Sequence, residues 1–138
     1  MSFEYLPHTA DVKIQAEGAT LQEAFSDAAR AITHIMTEEK ISSKLSFPLS
    51  LEAESKEALF FDFLSEIIIL LDTEGLFVAS ASVNITRSHR MWTLSGVVYG
   101  DEAKKYKRHG DVKAPTYHDL IVEQLPDQRW RVRATLDI

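Results

Sequence analysis

Thr20-Leu21-Gln22-Glu23-Ala24-Phe25-Ser26-Asp27-Ala28-Ala29-Arg30-Ala31-Ile32-Thr33-His34-Ile35-Met36 is the stretch on which the fold class of this chain turns. Leu21, Ala24, Phe25, Ala28, Ala29, Ile32, Ile35 and Met36 recur at three-and-four spacing, so they make one apolar helix face. Thr20 and Glu23 have the spacing of a capping box, in which each side chain satisfies the other residue's orphan N–H. His34 lies off the stripe. Just upstream, over residues 11–16, Val12, Ile14 and Ala16 alternate with Lys13 and Gln15, the period of two that marks a half-buried strand. Gly18 turns the chain between strand and helix. Residues 3–5 also read as extended.

Downstream the same two periods repeat. Residues 37–44 are polar and read as a loop. Over residues 45–53, Leu45, Phe47, Leu49, Leu51 and Ala53 alternate with polar residues and Pro48. That predicts a strand at a sheet edge, because proline cannot donate to a central ladder. Ser55 can cap a second helix that runs to about Thr73 and stops before Gly75. Its dense apolar content (Leu59, Phe60, Phe63, Leu64, Ile67, Ile68, Leu71) predicts deep burial. Residues 76–87 and 90–99 read as a hairpin around Ser88-His89. Residues 117–124 and 129–136 read as another around Pro126-Asp127. In the last strand Trp130, Val132, Ala134 and Leu136 point one way, and Arg129, Arg131, Arg133 and Thr135 the other. The sum is an α+β fold, with two helices packed on one face of a largely antiparallel sheet. The strand pattern runs into Ile138 without a tail. Chain ends fray unless something holds them, so the terminus itself is expected to be used.

Composition narrows the chemistry. The 138 residues fit one domain spanning 1–138. There is no cysteine, which removes thiolate nucleophiles, thiolate zinc sites and disulfides. The net charge of −6 argues against nonspecific grip on nucleic acid, which rests on phosphate neutralisation. No apolar run approaches the ~18 residues of a membrane span, and the N-terminus lacks the pattern of a signal peptide, so a cytoplasmic location and no membrane partner are expected. Gly18, Gly75, Gly96, Gly100 and Gly110 form neither a dinucleotide fingerprint nor a P-loop.

Four constellations can carry chemistry. In Leu6-Pro7-His8-Thr9-Ala10-Asp11, the carboxylate of Asp11 suits a metal ligand, a base or an Asx turn with its own backbone. At the other end, Asp137 and the terminal carboxylate of Ile138 are adjacent and repel, which a cation relieves. With Asp11 they make an all-oxygen set suited to a hard cation rather than a soft metal, the alternative being a solvated tail. The stretch from Lys104 to Lys113 holds five of the chain's 15 basic residues, interleaved with Tyr106. Such a loop can stack bases, dock on a partner, or lie solvated. Finally, in Lys113-Ala114-Pro115-Thr116-Tyr117-His118-Asp119-Leu120, strict alternation would put His118 and Asp119 on opposite faces, so no His–Asp dyad is expected, and His118 reads as a packed or hydrogen-bonded strand residue.

Taken together, Tyr5-Leu6-Pro7-His8-Thr9-Ala10-Asp11-Val12, Thr20-Leu21-Gln22-Glu23-Ala24-Phe25, the Lys113–Leu120 segment and the ending Leu136-Asp137-Ile138 resemble the archease family, over essentially the whole chain. The resemblance implies a compact α+β domain with an inserted strand-helix-strand-strand module. It implies a non-catalytic activator of the RtcB-type RNA ligase, which joins tRNA halves and other broken RNAs using GTP and a divalent metal. Archeases speed guanylylation of that ligase and keep it turning over. The resemblance also implies a metal site, with calcium the expected ion and Mg or Mn as alternatives, formed here by Asp11, Asp137 and Ile138. Lys113 is implicated in function, and His8 and His118 stand in the same motifs as partner-facing candidates. RNA is then an indirect partner.

Two other classes compete. A stand-alone metal-dependent phosphodiester hydrolase could use the same carboxylates, but no partner for an activated water can be named. A general chaperone or RNA-binding module could be built on the basic loop.

Overall fold

The computed structural model describes residues 11–138. The expectations for residues 3–5, the corner at Pro7 and His8 fall outside that range. In chain order the elements are β1 (Asp11–Gly18), α1 (Leu21–Met36), β2 (Leu45–Ala53), α2 (Lys56–Glu74), β3 (Leu76–Ser88), β4 (Met91–Glu102), a 3-10 turn (Ala103–Lys105), β5 (Ala114–Gln124) and β6 (Trp130–Asp137).

The α+β class is correct, but one sheet becomes two. Their strand orders are β1-β6-β5 and β2-β4-β3, three strands each, with every pairing antiparallel. The reason lies in connectivity. The consecutive unit β2-α2-β3-β4 pairs only with itself, so it forms the strand-helix-strand-strand insertion, while β1 closes with β5 and β6 from the far end of the chain. Strand β2 sits at an edge, as Pro48 required.

Helix α1 joins the two sheets. Leu21, Ala24, Phe25, Ala28, Ala29, Ile32 and Met36 are buried along one stripe. The Thr20 hydroxyl accepts from the Glu23 N–H at 3.1 Å, but the Glu23 carboxylate returns to the Ala19 N–H at 2.9 Å, one residue before the cap. The reciprocal half of the box is therefore displaced by one position. On its flank, the buried Thr33 hydroxyl donates to the Val78 carbonyl at 2.8 Å, and the Ser26 hydroxyl accepts from the Ala81 N–H at 3.0 Å. These bonds serve edge strand β3 where its register slips between Val78 and Ser80. A helix covering a strand edge removes a template for unwanted pairing.

Helix α2 starts at the Ser55 cap, whose hydroxyl accepts from the Ala58 N–H at 3.0 Å. It ends at Gly75, which takes a left-handed conformation (φ 63°) and returns its N–H to Leu70 and Leu71. Phe60 and Phe63 of α2 meet Phe25 of α1 with ring centroids 5.0 and 5.2 Å apart. That aromatic contact lies in one hydrophobic cluster fed by both helices and both sheets.

The first hairpin turns on His89-Arg90, one residue later than expected, with His89 at φ 56° and Ser88 opposite Met91. Strand β5 begins at Ala114, three residues before the expected start, and loses register between Thr116 and Ile121. In β6, Val132, Ala134 and Leu136 are buried as read. Thr135 departs from the reading: it lies on the arginine side yet is 2% exposed.

Candidate functional site

The pairing of β1 with β6 sets Asp11 opposite Asp137, Lys13 opposite Thr135, Gln15 opposite Arg133 and Glu17 opposite Arg131. Residues directly opposite in an antiparallel pair share a face. These eight therefore make the polar face of the sheet, on which Thr135 alone is buried. Most of its charge is matched: Arg131 meets Glu17 at 3.0 Å and Glu123 at 3.6 Å, Arg133 bonds Gln15 at 2.8 Å, and Lys13 pairs with Asp119.

At the end of this face the matching stops. Asp11 and Asp137 are like charges set opposite each other, and neither has an ion pair among the described residues. Like charges in that position are destabilising. Beside them, Ala114 pairs with Asp137, and the Lys113 N–H donates to the Asp137 carbonyl at 2.8 Å. Asp11, Asp137 and Lys113, from three distant sequence segments, thus meet at one sheet end, with Ile138 following Asp137. The Ile138 side chain packs on the core. No group of three or more His, Asp or Glu side chains fit to hold a metal is gathered among the described residues. The two opposed aspartates are hard, anionic oxygen donors, the kind that suits a Ca²⁺-type ion.

His118 is placed differently from the expectation. Its side chain is exposed, not packed, and its Nε2 lies 3.6 Å from Asp119 Oδ2. Alternation failed as a guide because the strand bulges here, with Asp119 at φ 53°. The Lys13 ammonium, by hydrogen bond and charge, and then His118 hold the Asp119 carboxyl below the usual range. Next to it, the Tyr117 ring lies parallel to Phe61 of α2, centroids 4.1 Å apart. No local pattern predicts that stack, since the two residues belong to separate elements.

The basic stretch is not a free loop. Arg108 bonds Asp111 at 2.7 Å and lies 5.9 Å over the Phe77 ring. The His109 N–H donates to the Met36 carbonyl at 2.9 Å, tying the loop to the end of α1. Lys104 pairs with Glu102 and Lys105 with Asp101, each at 3.3 Å. Asp101 itself is buried. Burial pushes its carboxyl up, but hydrogen bonds from the Tyr106 hydroxyl (2.8 Å), the Glu102 N–H (2.9 Å) and Lys105 outweigh that and hold it low. Much of the positive charge in this stretch is thus engaged within the molecule. A pocket of about 640 Å³ opens beside it, lined by Leu45, Phe47, Leu71, Tyr106 and Arg108 among others. Among the described residues no helix is long and apolar enough to cross a membrane.

Comparison with known proteins gives a consistent result. Residues 3–138 match the model of the Archease protein family (MTH1598/TM1083). The protein archease of Pyrococcus furiosus is 37% identical over 139 residues, covering 99% of this chain and 98% of that protein. The solution structure of Methanobacterium thermoautotrophicum protein 1598 superposes with a TM-score of 0.78 at 28% identity, covering 96% of each chain. A crystal structure from Thermotoga maritima, described as an archease and possible chaperone, shares the fold with a TM-score of 0.60 at 24% identity, covering 100% of this chain and 98% of that one.

Proposed function

Because this chain belongs to the archease family, we propose that it is a non-catalytic activator of an RtcB-type RNA ligase, promoting guanylylation and multiple turnover of that ligase in tRNA splicing and RNA repair in the cytoplasm. The observation that carries the reading is the unmatched aspartate pair at the end of an otherwise charge-matched face. Asp11, Asp137 and the terminal carboxylate of Ile138 hold a divalent cation, calcium first, with magnesium or manganese as alternatives. When bound, that ion offsets the repulsion between the carboxylates and presents positive charge to phosphate oxygens. Lys113, fixed beside Asp137 through its backbone N–H, supplies a flexible cationic side chain from the same sheet end. Docked at the ligase's nucleotide site, this cluster assists loading of metal and GTP, and RNA is engaged by the ligase rather than by this chain.

The test is guanylylation of the cognate ligase, with and without this protein, at limiting divalent metal. Stimulation by the wild type and its loss in Asp11→Ala are expected. Absence of stimulation, or full stimulation by Asp11→Ala, would overturn the proposal.

A further inference from the structure

Tyr117 is the most exposed large apolar or aromatic side chain described, at 60%. An exposed tyrosine is ordinary by itself. This one is held: one ring face lies on Phe61, with planes 6° apart, so the other face is left open. The backbone that carries it is also held. The segment leaves the ladder between Thr116 and Ile121. Before the break, the Thr116 hydroxyl donates to the Thr135 carbonyl at 3.0 Å. After it, Asp119 sits in the left-handed region and is clamped by Lys13 of β1 and approached by His118. A bulge and a non-glycine residue at positive φ are local costs that persist when the surroundings over-determine them, and they cluster at working surfaces.

We propose that Tyr117 is the anchor by which this protein docks on its protein partner, the ligase of the preceding section, on whose identification this inference rests. Three observations favour a protein over a small ligand or RNA. Tyr117 is 60% exposed and stacked on one ring face only, so it presents an open platform rather than an enclosed site for a small molecule. The chain carries −6, which opposes attraction of a polyanion. The anchor also lies four residues after Lys113, on the strand hydrogen-bonded to the one that ends at Asp137. A partner that reaches the aspartate pair is thereby carried across Tyr117. A pre-ordered tyrosine loses little rotamer freedom when it enters a recess, and tyrosine is enriched among residues that dominate binding energy.

The experiment measures the affinity of the full-length chain for the ligase in calcium, for wild type, Tyr117→Ala and Tyr117→Phe. Calcium affinity and melting temperature are followed in parallel. Tyr117→Ala is expected to weaken docking at least about thirty-fold, the scale of a dominant contact. Tyr117→Phe should stay within about three-fold, since burial and ring contact remain. Calcium affinity should not move, and Tyr117→Ala should melt only a few degrees lower, the scale of the lost Phe61 stack. Unchanged docking by Tyr117→Ala overturns the inference, as does a fall in calcium affinity or a docking loss that Tyr117→Phe shares in full, which marks a structural residue. Loss of single-stranded RNA binding with intact ligase affinity overturns it in favour of a base platform. If the wild type does not bind the ligase at all, the functional proposal fails first.

Discussion

At the scale of single residues, the two aspartates are the sharpest feature. Asp11 and Asp137 face each other across a strand pair, and each unit of repulsion removed there stabilises the metal-free protein. Asp137→Asn is therefore expected to raise the melting temperature in chelator by up to about 3 °C, since opposed like charges cost up to about 1 kcal/mol. At the proposed site calcium is expected to raise the wild-type melting temperature, because a ligand that binds only the folded state stabilises by mass action, and Asp137→Asn should lose that shift. Thermal melts in chelator and in a calcium series read both effects. A calcium shift that survives in Asp137→Asn would remove the pair from the site. The second residue-scale feature is Asp101. Its carboxyl is held below its unfolded value of about 3.9. Its contribution is thus present above that pH and is lost as pH falls through the lower folded value. Asp101→Asn should melt below wild type at pH 7, with the gap closing as the pH drops below about 4. Residue types at both places were legible in the sequence, but partners were not. Asp101 finds Tyr106 and Lys105 within five positions, whereas Asp11 finds Asp137 only through the register of strands from opposite ends of the chain.

At the scale of elements, local chemistry sets the helix ends. Ser55 starts α2 and Gly75 stops it, and both were readable because capping depends on a few neighbouring residues. Gly75→Ala tests the left-handed cap cleanly. A Cβ there would meet nothing within 4 Å, so only the backbone preference is felt, about 1–2 kcal/mol in a denaturant melt. Gly100→Ala should cost more, because its Cβ would fall 2.0 Å from the Phe77 carbonyl oxygen of the neighbouring strand. If the two variants melt alike, the reading of Gly100 as a close-approach site is wrong. The strands were less legible. Alternation located every one of the described strands, yet it misplaced His118 and Asp119. Their geometry is decided by the Lys13 contact, 106 residues away in sequence, and no local pattern encodes it.

At the scale of the whole molecule, what the sequence hid was the partition into two sheets. Periodicity marks strands and says nothing of which neighbour each will choose. The insertion β2-α2-β3-β4 keeps its own sheet, and α1 spans the gap by feeding Ser26 and Thr33 to the edge of β3. This arrangement leaves the outer face of β1-β6-β5 uncovered by either helix and ends it in the aspartate pair. The basic stretch that looked like an independent surface is instead tied to α1 and Asp101, which shifts attention from that loop to the sheet end. The central claim, that the sheet end activates an RNA ligase, is tested most directly by the initial rate of ligase guanylylation with limiting divalent metal. The account predicts that the wild type raises this rate and that Asp11→Ala and Asp137→Ala do not, while both variants remain folded. Equal stimulation by wild type and folded aspartate variants would contradict it.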